Sequence, residues 1–141
     1  MILPDVNVLI YAFRTDAEDH QRYREWLESV VNGPAAYGIA PQVLASVVRI
    51  TTHPRVYRHP SSRTDVFEFC RVLLEQPYAT VTVPRERHWP IFEDLCVKAK
   101  ATGNLAQDAW FAALAIESGC EWITTDRDYA RFPGLGWREP F

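Results

Sequence analysis

Met1-Ile2-Leu3-Pro4-Asp5-Val6-Asn7-Val8-Leu9-Ile10-Tyr11 is an apolar run broken at two places, Asp5 and Asn7. Ile2 to Pro4 reads as a short buried strand, and Val6 to Phe13 as a helix of about two turns that follows without a loop. Asp5 therefore stands on a joint whose flanks draw it into the core. An isolated ionised carboxylate there costs several kcal/mol unless a cation compensates it. An Asp before a helix is commonly just a cap worth about 1 kcal/mol, but apolar neighbours on both sides favour a bound metal.

Strand and helix alternate beyond this joint. A helix is expected from about His20 to Val31, with Tyr23, Trp26, Leu27, Val30 and Val31 on one face and Asn32-Gly33-Pro34 as its stop. Ala36 to Ala40 follows as a strand, and Pro41 opens a helix whose stripe of Leu44, Val47, Val48 and Thr51 ends at His53-Pro54. Ser61 or Ser62 caps a helix carrying Val66, Phe69, Cys70, Leu73 and Leu74, and Thr80 to Val83 is a β-branched strand. Trp89, Phe92, Leu95, Cys96 and Ala99 mark the next helix. Asn104 then caps one over Leu105 to Ser118, with Leu105, Ala109, Ala112, Ala113 and Ile116 inward and Asp108 in its first turn. Trp122 to Thr124 is a strand, Asp126 to Arg131 a helical turn, and Leu135 to Arg138 an edge strand. This alternation predicts an α/β sandwich with a mostly parallel sheet covered on both faces. Ligands in such sheets bind beyond the carboxyl ends of the strands, where strand order reverses.

With 141 residues, 48% of them hydrophobic and 23% charged, the chain suits one domain over residues 1–141. No run reaches the roughly 18 apolar residues of a membrane span, and no secretory signal is evident, so a cytoplasmic location without membrane contact is expected. Cys70, Cys96 and Cys120 lie in apolar surroundings and read as reduced core residues. His20, His53, His59 and His88 show no paired ligand spacing, which argues against zinc.

Four aspartates, Asp5, Asp108, Asp126 and Asp128, stand near strand ends or helix starts. Asn7 can orient a ligating carboxylate or water, and Thr124 or Thr125 can donate a hydroxyl. Asp126 has a bland reading as a turn cap, and Asp128 as a partner of Arg127 or Arg131. All-oxygen ligands select a hard cation, Mg²⁺ or Mn²⁺, and point to metal-assisted phosphodiester hydrolysis in which the ion activates a water. Asp5, Asp108 and Asp126 are then the expected catalytic and metal-binding residues, with Asp128 as a further candidate.

A net charge of −3 argues against non-specific wrapping of nucleic acid, yet positive charge is concentrated locally. The run Arg49 to Thr64, RITTHPRVYRHPSSRT, holds Arg49, Arg55, Arg58 and Arg63 and no acid. Those arginines are expected to grip phosphates, while bases stack on Tyr57, Tyr11 or a guanidinium plane. A solvated loop is the plainer account of the same run.

Three ordered motifs, D-x-N at Asp5, GNLAQDAWFAALAIESG around Asp108 and TTDRDYARFPGL around Asp126, make the chain resemble the PIN-domain family, and more narrowly the VapC-like toxins of bacterial type II toxin-antitoxin systems. The resemblance implies a small three-layer α/β/α sandwich with a parallel sheet of about five short strands. It also implies Mg²⁺-dependent endoribonuclease activity on structured RNA such as tRNA or rRNA, a cognate antitoxin partner and commonly a homodimer. By motif position Asp5 and Asp108 take the principal metal-ligand places, Asp126 the acidic place after the fourth strand, and Asn7 and Asp128 supporting places. One departure is Ser46, where PIN nucleases often carry a Glu, so a single strongly held ion is expected. Alternatives are a structure-specific DNA nuclease and a catalytically weak PIN-fold module that only binds RNA or protein. A dehalogenase-like phosphatase or receiver domain needs a lysine near the phosphoryl group, and Lys98 and Lys100 lie mid-helix.

Overall fold

Strands of three residues suffice where, as at Ile2–Pro4 and Tyr37–Ile39, they are largely buried and feed at once into a helix. The computed structural model describes all 141 residues and contains β1 (Ile2–Pro4), α1 (Val6–Phe13), α2 (His20–Val31), β2 (Tyr37–Ile39), α3 (Pro41–Thr51) and α4 (Arg63–Leu74). β3 (Ala79–Val81), α5 (His88–Ala99), α6 (Asn104–Ser118), β4 (Glu121–Ile123), a 3₁₀ turn (Arg127–Arg131) and β5 (Trp137–Arg138) complete the chain. No helix is long and apolar enough to cross a membrane.

The five strands form one sheet in the order β3-β2-β1-β4-β5, and every pairing is parallel. Parallel crossovers are right-handed. The chain steps from β1 to β2 to β3 in one direction, which puts α1 through α4 on one face. The return from β3 to β4 puts α5 and α6 on the other. The packing agrees, with α1 against α2 and α3, α3 against α4, and α5 against α6. The result is the expected three-layer sandwich.

A cluster of 25 buried residues forms the core, centred on Leu3, Ile39 and Trp122 and sealed by Leu9, Val47 and the small side chains Ala109, Ala112 and Ala113 of α6. Each large apolar side chain removed from water contributes roughly 1.5 to 3 kcal/mol. Gly38 is needed in β2 because a Cβ there would sit 2.8 Å from the Thr82 hydroxyl and 3.0 Å from Leu3. Cys70 and Cys120 are buried, Cys96 half-buried, and all three are free thiols.

Several boundaries differ from the sequence reading. The β3 strand is Ala79–Val81 rather than Thr80–Val83, because as an edge strand it stops where pairing to β2 stops. The last strand holds only Trp137 and Arg138, and β2 only Tyr37 to Ile39. Ser62, not Ser61, caps α4 by accepting the Asp65 N–H. On α5 Leu95 is buried and Phe92, Cys96 and Ala99 are half-buried against the core, so the expected stripe faces inward except at Trp89, which is 60% exposed, and His88 is buried as well. Gly103, at φ +58°, takes the N-cap of α6 in place of Asn104. That shift puts Asp108 in the second turn, past the strongest reach of the helix dipole. In α6 the inward face is Ala109 and Phe111 through Ala115, while Leu105 and Ile116 are half-buried.

Candidate active site

Asp5 extends the β1 ladder by one bond, its N–H donating to the Ile123 carbonyl at 2.9 Å, while its Oδ1 accepts the Val6 N–H at 2.6 Å and so caps α1. The β1–β4 register sets Pro4 beside Ile123, which brings the next residue of each strand, Asp5 and Thr124, together. The Thr124 hydroxyl donates to Asp5 Oδ2 at 2.6 Å and accepts from the Asp126 N–H at 3.0 Å and from Asn7 Nδ2 at 3.4 Å. A hydroxyl has one proton and two lone pairs. All three are used here, so the proton is fixed toward Asp5.

The opposite wall comes from α6 and the 3₁₀ turn. Asp108 is half-buried and accepts from the Tyr129 hydroxyl at 3.4 Å. Asp126 Oδ1 accepts the Asp128 N–H at 2.9 Å and caps the turn, which leaves its other oxygen without a protein partner. Asp5, Asn7, Ser46, Asp108 and Asp126 line one cleft of about 300 Å³. Arg49, Asn104 and Gln107 stand at its rim and Tyr129 in its wall. The cleft lies where strand order reverses, since β1 is flanked by β2 on one side and β4 on the other.

Burial pushes the Asp5 carboxyl up to about 7, against the bonds from Thr124 and Val6 and with the help of the Asp108 and Asp126 charges. Burial and then the Asp126 charge raise Asp108 to about 6. The Tyr129 hydroxyl, buried beside Asp5, Asp108 and Asp126, is held protonated. Three carboxylates thus repel one another in a place that disfavours charge, the electrostatic condition a divalent cation relieves.

The donor set suits a hard cation. Every candidate ligand is oxygen, and the buried Asn7 Oδ1 has no hydrogen-bond partner in the protein. No three His, Cys, Asp or Glu side chains stand close enough together to hold a metal ion by themselves. A hard cation such as Mg²⁺, which keeps several waters and takes one or two carboxylates plus a substrate phosphate, would not need such a group. Asp5 and Asp108 are the residues that would hold such an ion, with Asp126 in the same cleft.

A family model described as the PIN domain matches residues 2–135. The chain belongs to the PIN-domain family. Ribonuclease VapC43 of Mycobacterium tuberculosis is 41% identical over 140 residues, covering 99% of this chain and 95% of that protein. Ribonuclease VapC25 of the same organism is 38% identical over 135 residues, 96% and 95% of the two chains. In fold, this PIN domain is similar to one chain of the crystal structure of VapBC2 from Rickettsia felis bound to a promoter DNA fragment (TM-score 0.71, 16% identity, 99% and 98% of the two chains). It is also similar to VapC20 of M. tuberculosis, described as a sarcin-ricin loop cleaving toxin (TM-score 0.66, 14% identity, 96% and 98% coverage).

Not every sequence candidate reaches the cleft of this PIN domain. Asp128 is 59% exposed and sits 3.7 Å from Arg131, so its place is the ion pair, although its charge still helps raise Asp108. Thr125 lines a neighbouring pocket, and Thr124 takes the supporting role. Of the four arginines only Arg49 lines the cleft; Arg55 and Arg58 lie on the exposed loop after α3, and Arg63 opens α4. Two residues went unremarked in the sequence. Tyr129 is signalled only by its spacing from Phe132, which makes one buried face of the turn. Arg14, 7% exposed, ties the basic loop down through the His59 carbonyl and the Ser61 hydroxyl.

Proposed function

We propose that this PIN domain is a Mg²⁺-dependent endoribonuclease, the toxin of a type II toxin-antitoxin pair, cutting structured RNA such as tRNA or rRNA in the cytoplasm. The observation that carries this reading is the convergence of Asp5, Asp108 and Asp126 from three elements on one cleft with an unpaired Asn7 oxygen, in a chain 41% identical to a VapC ribonuclease. Mn²⁺ can replace Mg²⁺ in such an oxygen site. When bound, the ion supplies an acidified water and neutralises charge on the scissile phosphate. Asp5 is oriented by Thr124 and Val6, so its free lone pairs keep a fixed direction. Asp108 is held loosely by Tyr129 and can adjust. Asp126, with one oxygen uncommitted, stands ready to accept a proton from the attacking water. Arg49 has no ion pair in the protein and grips a phosphate at the rim.

Ser46 lines the cleft and brings no charge, which favours one strongly held ion. A cognate antitoxin is the proposed protein partner, the likeness in fold to VapBC2 of Rickettsia felis and to VapBC-1 of nontypeable Haemophilus influenzae being the motive for it, and homodimerisation is proposed with it. The test is cleavage of tRNA or rRNA by purified, antitoxin-free protein with Mg²⁺. Discrete cutting that EDTA stops, and that Asp108→Asn lowers at least ~100-fold, is expected. Intact RNA with folded protein under every metal condition overturns the proposal.

A further inference from the structure

A second pocket of about 440 Å³ adjoins the cleft, between the α1–α2 turn, the loop after α3 and the end of β4. Tyr11, Tyr23 and Tyr57 form its aromatic walls, and Glu18, Asp19 and Thr125 line its polar side. It meets the cleft at two points: Tyr11 is one turn along α1 from Asn7, and Thr125 precedes Asp126.

The walls are held in place. The rings of Tyr11 and Tyr23 lie 5.0 Å apart, and Tyr23 packs on Phe141 at 4.9 Å. Tyr57 is backed by the buried Arg14 guanidinium, 3.8 Å from its ring centroid. Arg14 also donates to both carboxylate oxygens of Asp16, which engages that acid. Glu18 and Asp19 remain unengaged. Asp19 stands at the N-cap of α2 at φ +56°, yet its carboxylate does not cap the helix.

We propose that this pocket is a nucleobase subsite that selects guanine in the RNA strand crossing the cleft. The inference rests on the ribonuclease reading only for why RNA lies there. Tyrosine rings stack on any base, so the walls give affinity without choice. Choice comes from the carboxylates, which accept and never donate when ionised. Guanine presents two adjacent donors, the ring N1–H and the exocyclic amino group, matched to the two oxygens of one carboxylate. Uracil offers a single N–H between two carbonyls, and adenine and cytosine set an amino group beside a bare ring nitrogen, so each would face the carboxylate with repelling lone pairs. The Tyr23 and Tyr57 hydroxyls, raised by burial, stay protonated and can donate to the guanine carbonyl. A cationic peptide would also suit rings and acids, but Arg55 and Arg58, on the loop that supplies Tyr57, repel a cation and attract the flanking phosphates.

The test measures binding without cutting. An Asp108→Asn protein is titrated with fluorescent pentanucleotides identical except for a central guanine, inosine, adenine or uracil. Inosine lacks only the exocyclic amino donor. Guanine is expected to bind about tenfold tighter than the other three. Adding Asp19→Asn with Glu18→Gln should bring that ratio to about one and leave the adenine oligonucleotide within about twofold. Asn tolerates a positive φ, so the variant should fold, which circular dichroism checks. Equal binding of all four, or a ratio unmoved by the two substitutions, overturns the proposal. So does an arginine-containing peptide that binds the wild-type pocket and loses affinity in the Asp19 and Glu18 variant while the oligonucleotides bind alike. RNA left uncut by wild-type protein that keeps the guanine preference would sink the nuclease reading and leave this one standing.

Discussion

The two walls of the acidic cleft are built to different tolerances. On the sheet side Asp5 is 5% exposed and accepts bonds of 2.6 Å at both oxygens, one from the backbone and one from a hydroxyl whose own valences are filled. On the helix side Asp108 is half-buried and has a single 3.4 Å bond from Tyr129, and Asp126 commits one oxygen to a turn. One carboxylate is preorganised and the others can move, which is the arrangement expected where substrate phosphate completes a site.

The sharpest way to break this contrast is to remove the hub of the rigid wall. Thr124→Val keeps shape but deletes the donor to Asp5 and the acceptor for Asp126 and Asn7. Activity on RNA is expected to fall about 10- to 100-fold, and stability in urea to drop by about 1 to 3 kcal/mol, because buried partners are left unpaired. A loss within twofold would mean that Asp5 is oriented by packing alone. Thr125→Val serves as the control and should leave metal-dependent cleavage of unselective substrates unchanged.

A medium effect separates the walls by pH. Asp5 is raised to about 7 from an unfolded value of 3.8, so the native state holds its proton more tightly than the unfolded chain. Metal-free stability from this group is therefore greatest at low pH and declines as pH rises from about 4 through 7. Between pH 5.0 and 7.5 the wild type should lose about 2 kcal/mol relative to Asp5→Asn in parallel urea titrations, and Mn²⁺ should offset that loss. Asp108, raised to about 6 and partly screened by solvent, should contribute a smaller slope ending at lower pH. Parallel slopes in wild type and Asp5→Asn would show that the sheet wall is not electrostatically loaded.

The smallest effect concerns Asp128. Its carboxylate faces Arg131 at the surface, so Asp128→Asn should change cleavage less than about twofold and stability by less than ~0.5 kcal/mol. A larger loss would move it into the cleft.

The Asp5 joint was legible in the sequence because two polar side chains inside an apolar run have few packing explanations. The layer order was legible too, since short apolar strands alternating with helices admit few topologies. The choice of Thr124 over Thr125 was not, because it depends on the register of β1 against β4, a pairing across more than a hundred residues that no local pattern encodes. Asp108 was legible on α6 but lies one residue deeper than a cap at Asn104 implies, since Gly103 takes the N-cap. The arginine run was read as one gripping surface. A loop pinned by the buried Arg14 carries Arg55 and Arg58 exposed and outside the cleft lining, where Arg49 alone of the four stands. The stripe of α5 was legible from Phe92 to Ala99, where Phe92, Leu95, Cys96 and Ala99 all pack on the core, but not at Trp89, which is 60% exposed at the start of the helix.

The central claim is that carboxylates from both walls share one divalent ion. Calorimetric titration of Mn²⁺ at pH 7.5 into wild type, Asp5→Asn and Asp108→Asn tests it directly. One site per chain in the wild type, lost or weakened at least tenfold in each variant, is the predicted result. Binding that persists unchanged in both variants, or none in the wild type even with a bound RNA oligonucleotide, would contradict it.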